Sequence, residues 1–291
     1  MKPLRLRLQE ARKNLGVPWE VVERDYLLSW VLAGISRVEP LRDSLIFKGG
    51  TAIKKCWFGD YRFSEDLDFS GVCGAPTGQA LEDAVKESCR IASQLLDEYA
   101  AIEITCARYI EKAPHPGGQE AFTIHAKFPW HKDMHTRVLV EVSMDENVLR
   151  TTPWRTVIHG YGDSLDAKVR TYSLEEIVAE KLRAILQHIE KLEERGWSRS
   201  RARDYYDLWR IFKAYGARMT LTGFSQFLRE KCAVRHVSFQ RADDFFNPTM
   251  LAYVEKTWDQ LLGPLLPDLV PCATVIGELR PQLEAILSAE A

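Results

Sequence analysis

The chain has no Cys-x-x-Cys pair. Its six cysteines (Cys56, Cys73, Cys89, Cys106, Cys232 and Cys272) are scattered, which excludes a zinc ribbon or a disulfide framework and suits the reduced thiols of a cytoplasmic protein. Charge of one sign is also lacking: the net charge is -2, so a nucleic-acid surface must be a local basic patch and not a global field. Long apolar runs are missing. The longest, such as residues 26–35, fall short of a bilayer, and no apolar run follows Met1-Lys2-Pro3-Leu4-Arg5, so neither a membrane span nor a signal peptide is expected. There is no Gly-x-x-x-x-Gly-Lys-Ser/Thr loop and no Gly-x-Ser-x-Gly elbow, which removes P-loop and serine-hydrolase chemistry. With 46% hydrophobic and 27% charged residues over 291 positions, the composition is that of a folded protein with one large or two modest domains.

What is present is concentrated in residues 47–69. A Gly49-Gly50-Thr51 turn opens a short helix, and the segment 62–69 reads as a strand. Alternation along that strand puts Asp66 and Asp68 on one face and Leu67 and Phe69 on the other. Free backbone amides at a helix start can hold phosphate oxygens. Mg²⁺ favours one or two carboxylates together with substrate phosphates. Aspartate is a poor strand former, so two in one short strand ask for a reason beyond solubility.

Elsewhere, residues 5–36 read as helical, with Leu28, Val31, Leu32 and Ile35 at helical spacing, and residues 78–99 as an amphipathic helix. Strands are predicted over 102–110, 121–129 and 136–144, the last two joined by a hairpin loop in which His131 and His135 read as exposed loop residues and not as a metal pair. The middle of the chain is therefore a mixed sheet flanked by helices. From residue 172 the pattern turns helical: Ser173-Leu174-Glu175-Glu176 is a capping box for a helix to about residue 194, and residues 196–200 break it before a second helix.

Glu141 is the lone acid in the apolar strand 138–143 and would face away from Val140 and Val142, as the third carboxylate that two-metal phosphoryl transfer uses. A strand acid of this kind can equally be a plain solvated residue. Lys181, inside a core-like helix, can reach a triphosphate as a point charge or stand as an exposed helix lysine. Arg199, Arg201 and Arg203, with Tyr205 and Tyr206 behind them, suit RNA phosphates and base stacking, or a solvated basic helix start; Asp204 can orient Lys181 or Arg203.

Together these segments resemble the AbiEii/AbiGii-type nucleotidyltransferase toxins, relatives of the MenT toxins. The resemblance rests on residues 48–55, residues 62–68, Glu141 in its strand, residues 180–182 and residues 203–208, in the family's order. It implies an α+β fold: a DNA polymerase β-like core with a mixed sheet over residues 1–160, and a helical domain over 161–291 that contributes Lys181 and Asp204 to the site. By that analogy Gly49, Gly50 and Thr51 hold phosphates, and Asp66, Asp68 and Glu141 hold Mg²⁺ or Mn²⁺. Lys181 contacts phosphate, and Asp204 supports the site. Ser64 lies in the nucleotide-binding set, at a position where related toxins can be phosphorylated; a hydrogen bond to its own turn is the simpler role.

The resemblance also implies transfer of a nucleotide from a nucleoside triphosphate, onto a tRNA 3′ end in some members, an antitoxin encoded nearby, and a link to abortive phage resistance. Where the family often has an arginine two turns after the helix lysine, this chain reads Gln187-His188, which lacks a guanidinium fork. The rival readings are a protein or small-molecule hydroxyl as acceptor, and a non-catalytic partner-binding module.

Overall fold

The computed structural model describes residues 2–110 and 118–288. The chain divides into two compact units, Met1–Val148 with Thr152–Tyr172, and Leu149–Thr151 with Ser173–Ala291.

The first unit begins with two helices, α1 (Leu4–Leu15) and α2 (Trp19–Ile35). The helical stretch expected over 5–36 is broken here because Gly16 adopts a left-handed φ of 65° and closes α1 onto the Arg12 carbonyl, while Pro18 starts α2. Helix α2 is buried almost all round, so it is a core helix and carries little amphipathic signal. A short helix, α3 (Glu39–Ser44), leads into strand β1 (Leu45–Lys48). The chain then turns through α4 (Gly49–Ala52), which continues as one wide π-turn over Ile53–Trp57, closed by the Phe58 amide on the Ile53 carbonyl at 2.9 Å. Strand β2 (Asp66–Gly71), helix α5 (Gly78–Leu96) and strands β3 (Glu103–Tyr109), β4 (Glu120–Lys127) and β5 (Thr136–Ser143) follow. The short strands β6 (Trp154–Thr156) and β7 (Lys168–Arg170) pair with each other as a separate ribbon.

The main sheet has the order β1-β2-β5-β4-β3. Only β2 and β5 run parallel; every other neighbouring pair is antiparallel. On one face, Phe47, Phe69 and Val142 stand in register, as do Leu67, Val140 and Phe122, and all six are fully or almost fully buried. Side chains of this size stabilise by roughly 1.5–3 kcal/mol each when taken out of water. Helix α5 contributes Leu81, Val85, Cys89, Ala92 and Leu96, all on one stripe. The opposite face of the sheet carries the polar positions of β2 and β5, and the register leaves them no alternative.

A buried charge pair ties α2 to the π-turn. Lys55 Nζ donates to Asp25 Oδ2 at 2.7 Å and to the Asp25 carbonyl at 3.0 Å, and the Tyr161 hydroxyl donates to Asp25 Oδ2 at 2.8 Å. Burial alone would raise the Asp25 carboxyl; the adjoining Lys55 and Lys54 charges and these hydrogen bonds hold it below the usual range instead. In the hairpin loop, His131 is not the exposed residue the sequence suggested. Glu23 on α2 is 1% exposed and needs donors, and it takes them from Trp130 Nε1 at 2.6 Å and His131 Nε2 at 3.0 Å.

The second unit is helical: α6 (Leu174–Arg195), α7 (Ala202–Tyr215), α8 (Phe224–Ala233), α9 (Pro248–Leu262) and α10 (Cys272–Ser288). Ser173 caps α6 by accepting the Glu176 amide at 3.2 Å. The Glu176 side chain does not complete the capping box. It is fully buried and takes Lys231 Nζ at 2.8 Å and the amides of Leu149 and Arg150, which fastens the 149–151 segment within this unit. Phe245 and Phe246 are core residues here. Among the described residues, no helix is long and apolar enough to cross a membrane.

Candidate active site

The parallel register of β2 and β5 places Asp68 directly beside Glu141, and Asp66 lies two residues back on the same face. All three carboxylates are partly exposed, while the intervening Leu67, Val140 and Val142 are buried. Of the strand expected over 62–69, only the part from Asp66 onward is strand; residues 62–65 run in from a loop. Gln119 Nε2 donates to Glu141 Oε1 at 2.6 Å and so fixes the orientation of that carboxylate.

Gly49 sits where β1 meets α4, with φ at 77°, and a Cβ there would collide with Asp68 Oδ2. Only glycine allows this backbone to close against the carboxylate. Gly50 is hemmed in as well: a Cβ would lie 2.6 Å from an Arg62 guanidinium nitrogen and 3.1 Å from Ser64 Oγ. Thus Gly49, Gly50, Ser64, Asp66, Asp68 and Glu141 gather at one end of the sheet face. Thr51 belongs to the same turn but is fully buried, and its hydroxyl donates to the Asp66 carbonyl at 2.5 Å. Its place is to hold the start of the carboxylate strand.

Two residues here escaped the sequence reading. Arg62 was visible only as part of a motif, yet it is 3% exposed and lies over the glycine turn. Gln119 had no signal, since nothing in its own neighbourhood announces that β4 runs beside Glu141.

Hard oxygen donors of this kind suit Mg²⁺ or Mn²⁺. Among the described residues, no group of three or more His, Cys, Asp or Glu side chains closes into a metal cage. The arrangement fits a cation completed by substrate phosphates, with Asp68 and Glu141 as the adjacent pair and Asp66 beside them.

In the second unit, Lys181 on α6 is 8% exposed and not the surface lysine its sequence context allowed. Its Nζ donates to Asp204 at 2.8 Å and lies 2.7 Å from Asp207, which is fully buried. Arg201 also pairs with Asp204. Burial would raise the Asp204 carboxyl, but Arg201 and Lys181 outweigh it and hold it below the usual range. Asp207 is the partner the sequence reading passed over, although Asp204 and Asp207 lie three apart on one helix face.

Arg199 is exposed and Arg203 half-buried. His188, standing where an arginine was expected, bonds through Nδ1 to Ser198 Oγ at 2.6 Å, and burial followed by the Arg201 and Lys191 charges pushes its pKa down to about 4. It is a neutral ring at neutral pH. Arg183 is buried beside Glu180 at 3.4 Å, so it is a packed side chain in its own right.

Comparison with known proteins bears on the family and the fold. Residues 30–289 match the family described as "Nucleotidyl transferase AbiEii toxin, Type IV TA system". Among solved structures, the chain is similar to MenT4, a nucleotidyltransferase toxin from Mycobacterium tuberculosis H37Rv, with a TM-score of 0.64 at 19% identity, over 98% of this chain and 90% of that one. At that identity the likeness speaks for the fold. No significant match is found among curated protein sequences. The family match spans the glycine turn, all three carboxylates and the Lys181 cluster, and the chain therefore belongs to the AbiEii nucleotidyltransferase toxins of type IV toxin–antitoxin systems.

Proposed function

We propose that the chain moves a nucleotide from a nucleoside triphosphate to a hydroxyl at the 3′ end of an RNA, with tRNA as the favoured acceptor. The acceptor oxygen bonds to the α-phosphorus, the bond from that phosphorus to the bridging oxygen breaks, pyrophosphate leaves, and the hydroxyl proton is lost. The observation that carries this reading is Asp68 beside Glu141 across parallel strands, with the Gly49 backbone closed against Asp68.

The backbone amides of the Gly49-Gly50 turn are the phosphate cradle, and its glycines let Asp68 and Arg62 approach that backbone closely. Arg62 and Ser64, packed over Gly50, shape its outer wall. Glu141, oriented by Gln119, receives the proton of the attacking hydroxyl. Asp66, Asp68 and Glu141 would hold Mg²⁺ or Mn²⁺, whose charge offsets that of the triphosphate. Most of the rate then comes from positioning and charge neutralisation. Lys181, held by Asp204 and Asp207 within the helical unit, is the phosphate contact that the family resemblance implies. An antitoxin encoded nearby, a cytoplasmic setting and a part in phage defence accompany the reading.

The test is label transfer. Purified protein, divalent cation and total tRNA are incubated with each α-labelled nucleoside triphosphate in turn, beside Asp66→Ala and Asp68→Asn. Label on tRNA from one donor, absent in both variants, is the expected result. Label on protein alone, or full activity in either variant, would remove the proposal. Both aspartates are partly exposed, so the variants should stay folded.

A further inference from the structure

Between α6 and α7 the chain turns through six residues, 196–201, and the side chains of 197–200 alternate out and in. Gly196 closes α6 at φ 72°, its amide on the Leu192 carbonyl. Ser198 is 6% exposed and bonded to His188 Nδ1 at 2.6 Å. Ser200 accepts the Thr257 hydroxyl at 2.6 Å and the Ala202 amide at 3.3 Å. The inward residues thus peg the loop to α6 and to α9. The outward residues are Trp197, at 67% exposure, and Arg199.

Trp197 is the most exposed aromatic among the described residues. An isolated exposed apolar side chain is ordinary, but this indole stands on a pegged turn with cations around it. Lys191 and Arg195 on the last turns of α6 are exposed, and Arg199 follows two residues after the ring. The opposing charges in the same stretch are Glu190, Glu193 and Glu194, all exposed; Glu193 accepts Asn247 Nδ2 at 3.1 Å. Arg201 is committed to Asp204, and His188 serves as a peg, so the basic surface of this turn is that of Lys191, Arg195 and Arg199.

A flat ring held outward with exposed cations close by in the chain suits an unstacked base between two phosphates. An A-form duplex keeps its bases inside the stack and would offer the ring nothing. We propose that residues 195–199 form a docking platform for single-stranded RNA, with Trp197 stacking on one base and Arg195 and Arg199 on the flanking phosphates. This rests on the RNA-acceptor reading and adds to it where the acceptor is held and that it is unpaired there.

The full chain carrying Asp66→Ala, which keeps RNA from being consumed, is titrated with a short labelled single-stranded RNA and with a duplex of the same sequence. Trp197→Ala, Trp197→Phe and Arg199→Ala are compared on that background. Loss of one stacked base should weaken single-strand binding roughly 5- to 150-fold. Trp197→Phe should recover much of it, duplex binding should not change, and Arg199→Ala should lower the salt slope by about one contact.

In parallel, label transfer to RNA is measured with Asp66 intact. The RNA KM should rise in Trp197→Ala while the triphosphate KM stays. Unchanged single-strand affinity in Trp197→Ala overturns the platform. If RNA is still labelled in that case, the acceptor reading survives it. A Trp197-dependent single-strand affinity with no label on RNA supports the platform and removes the acceptor reading. Unchanged RNA affinity with an altered oligomeric state in Trp197→Ala would overturn the platform in favour of a protein contact.

Discussion

Lys181→Met removes the cation that Asp204 and Asp207 share. The four groups of that cluster, Lys181, Arg201, Asp204 and Asp207, carry two positive and two negative charges, and Asp207 is fully buried. After the substitution Arg201 still faces Asp204, but Asp207 has lost its ammonium. Removing one partner of a buried pair costs roughly 3–5 kcal/mol, chiefly as the penalty on the charge left behind. For a unit of this size that lowers the thermal midpoint by about 10–15 °C. Restoring the charge balance with Lys181→Met/Asp207→Asn should return more than half of the loss, because the side chain that suffers is then neutral. The assay is thermal melting followed by circular dichroism, with hydrogen exchange of α6 and α7 to place the loss. A single variant within about 1 kcal/mol of the parent, or a double variant no more stable than the single, would refute the reasoning. The double variant also separates structure from chemistry: folded yet inactive in label transfer, it would leave Lys181 with a direct part in the reaction.

Gly49→Ala forces a side chain into a left-handed conformation at about 1–2 kcal/mol and drives it into Asp68. Nucleotide transfer should fall by far more than the melting point does, and comparing the two measurements checks this. Thr51→Val keeps the shape but removes the hydroxyl that donates to the Asp66 carbonyl, so chemical denaturation should show a loss of about 0.5–1.5 kcal/mol. Asp25 and Asp204 both have lowered pKa values in the folded chain. The unfolded chain binds their protons first, so their stabilisation is complete above the ordinary carboxylate range near pH 3.9 and disappears as pH falls below it. His188 acts higher on the scale: from about pH 6.5 down to about 4 the unfolded ring is protonated and the folded ring is not, so stability should decline through that window. Melting points across that range should decline less steeply in His188→Gln; an identical slope would exclude His188 as the cause.

The alternation of Asp66, Leu67, Asp68 and Phe69 was enough to predict two carboxylates on one face, because strand periodicity acts locally and needs no partner. Glu141 could be read the same way within its own strand. That β2 and β5 lie side by side and parallel is a different kind of fact, set by chain crossings that leave no trace in residues 66–71 or 136–143. Gln119 and Arg62 were missed for this reason: their importance lies in neighbours distant in sequence. Lys181 shows the limit from the other direction. A lysine among Ile177, Val178, Leu182 and Ile185 can lie on the edge of an apolar stripe or inside it, and burial was decided by Asp204 and Asp207 arriving on α7. The break at Gly16–Pro18 was legible and outweighed by apolar spacing, although a left-handed glycine followed by proline is the stronger signal.

The register of β2 against β5 also constrains how such a protein can change by insertion and deletion. Slipping β5 by one residue would bring Val140 or Val142 beside Asp68 and turn Glu141 into the layer now filled by Phe69 and Phe122. That layer is dry, and an unpaired carboxylate there would not be tolerated. A slip of two residues keeps every side chain on its own face and merely moves the acid along the strand. Lineages of this fold can therefore lengthen or shorten the path into β5 at the exposed residues 132–133, past the Trp130 and His131 donors to Glu23, but within the strand itself the carboxylate pair moves in steps of two or is lost.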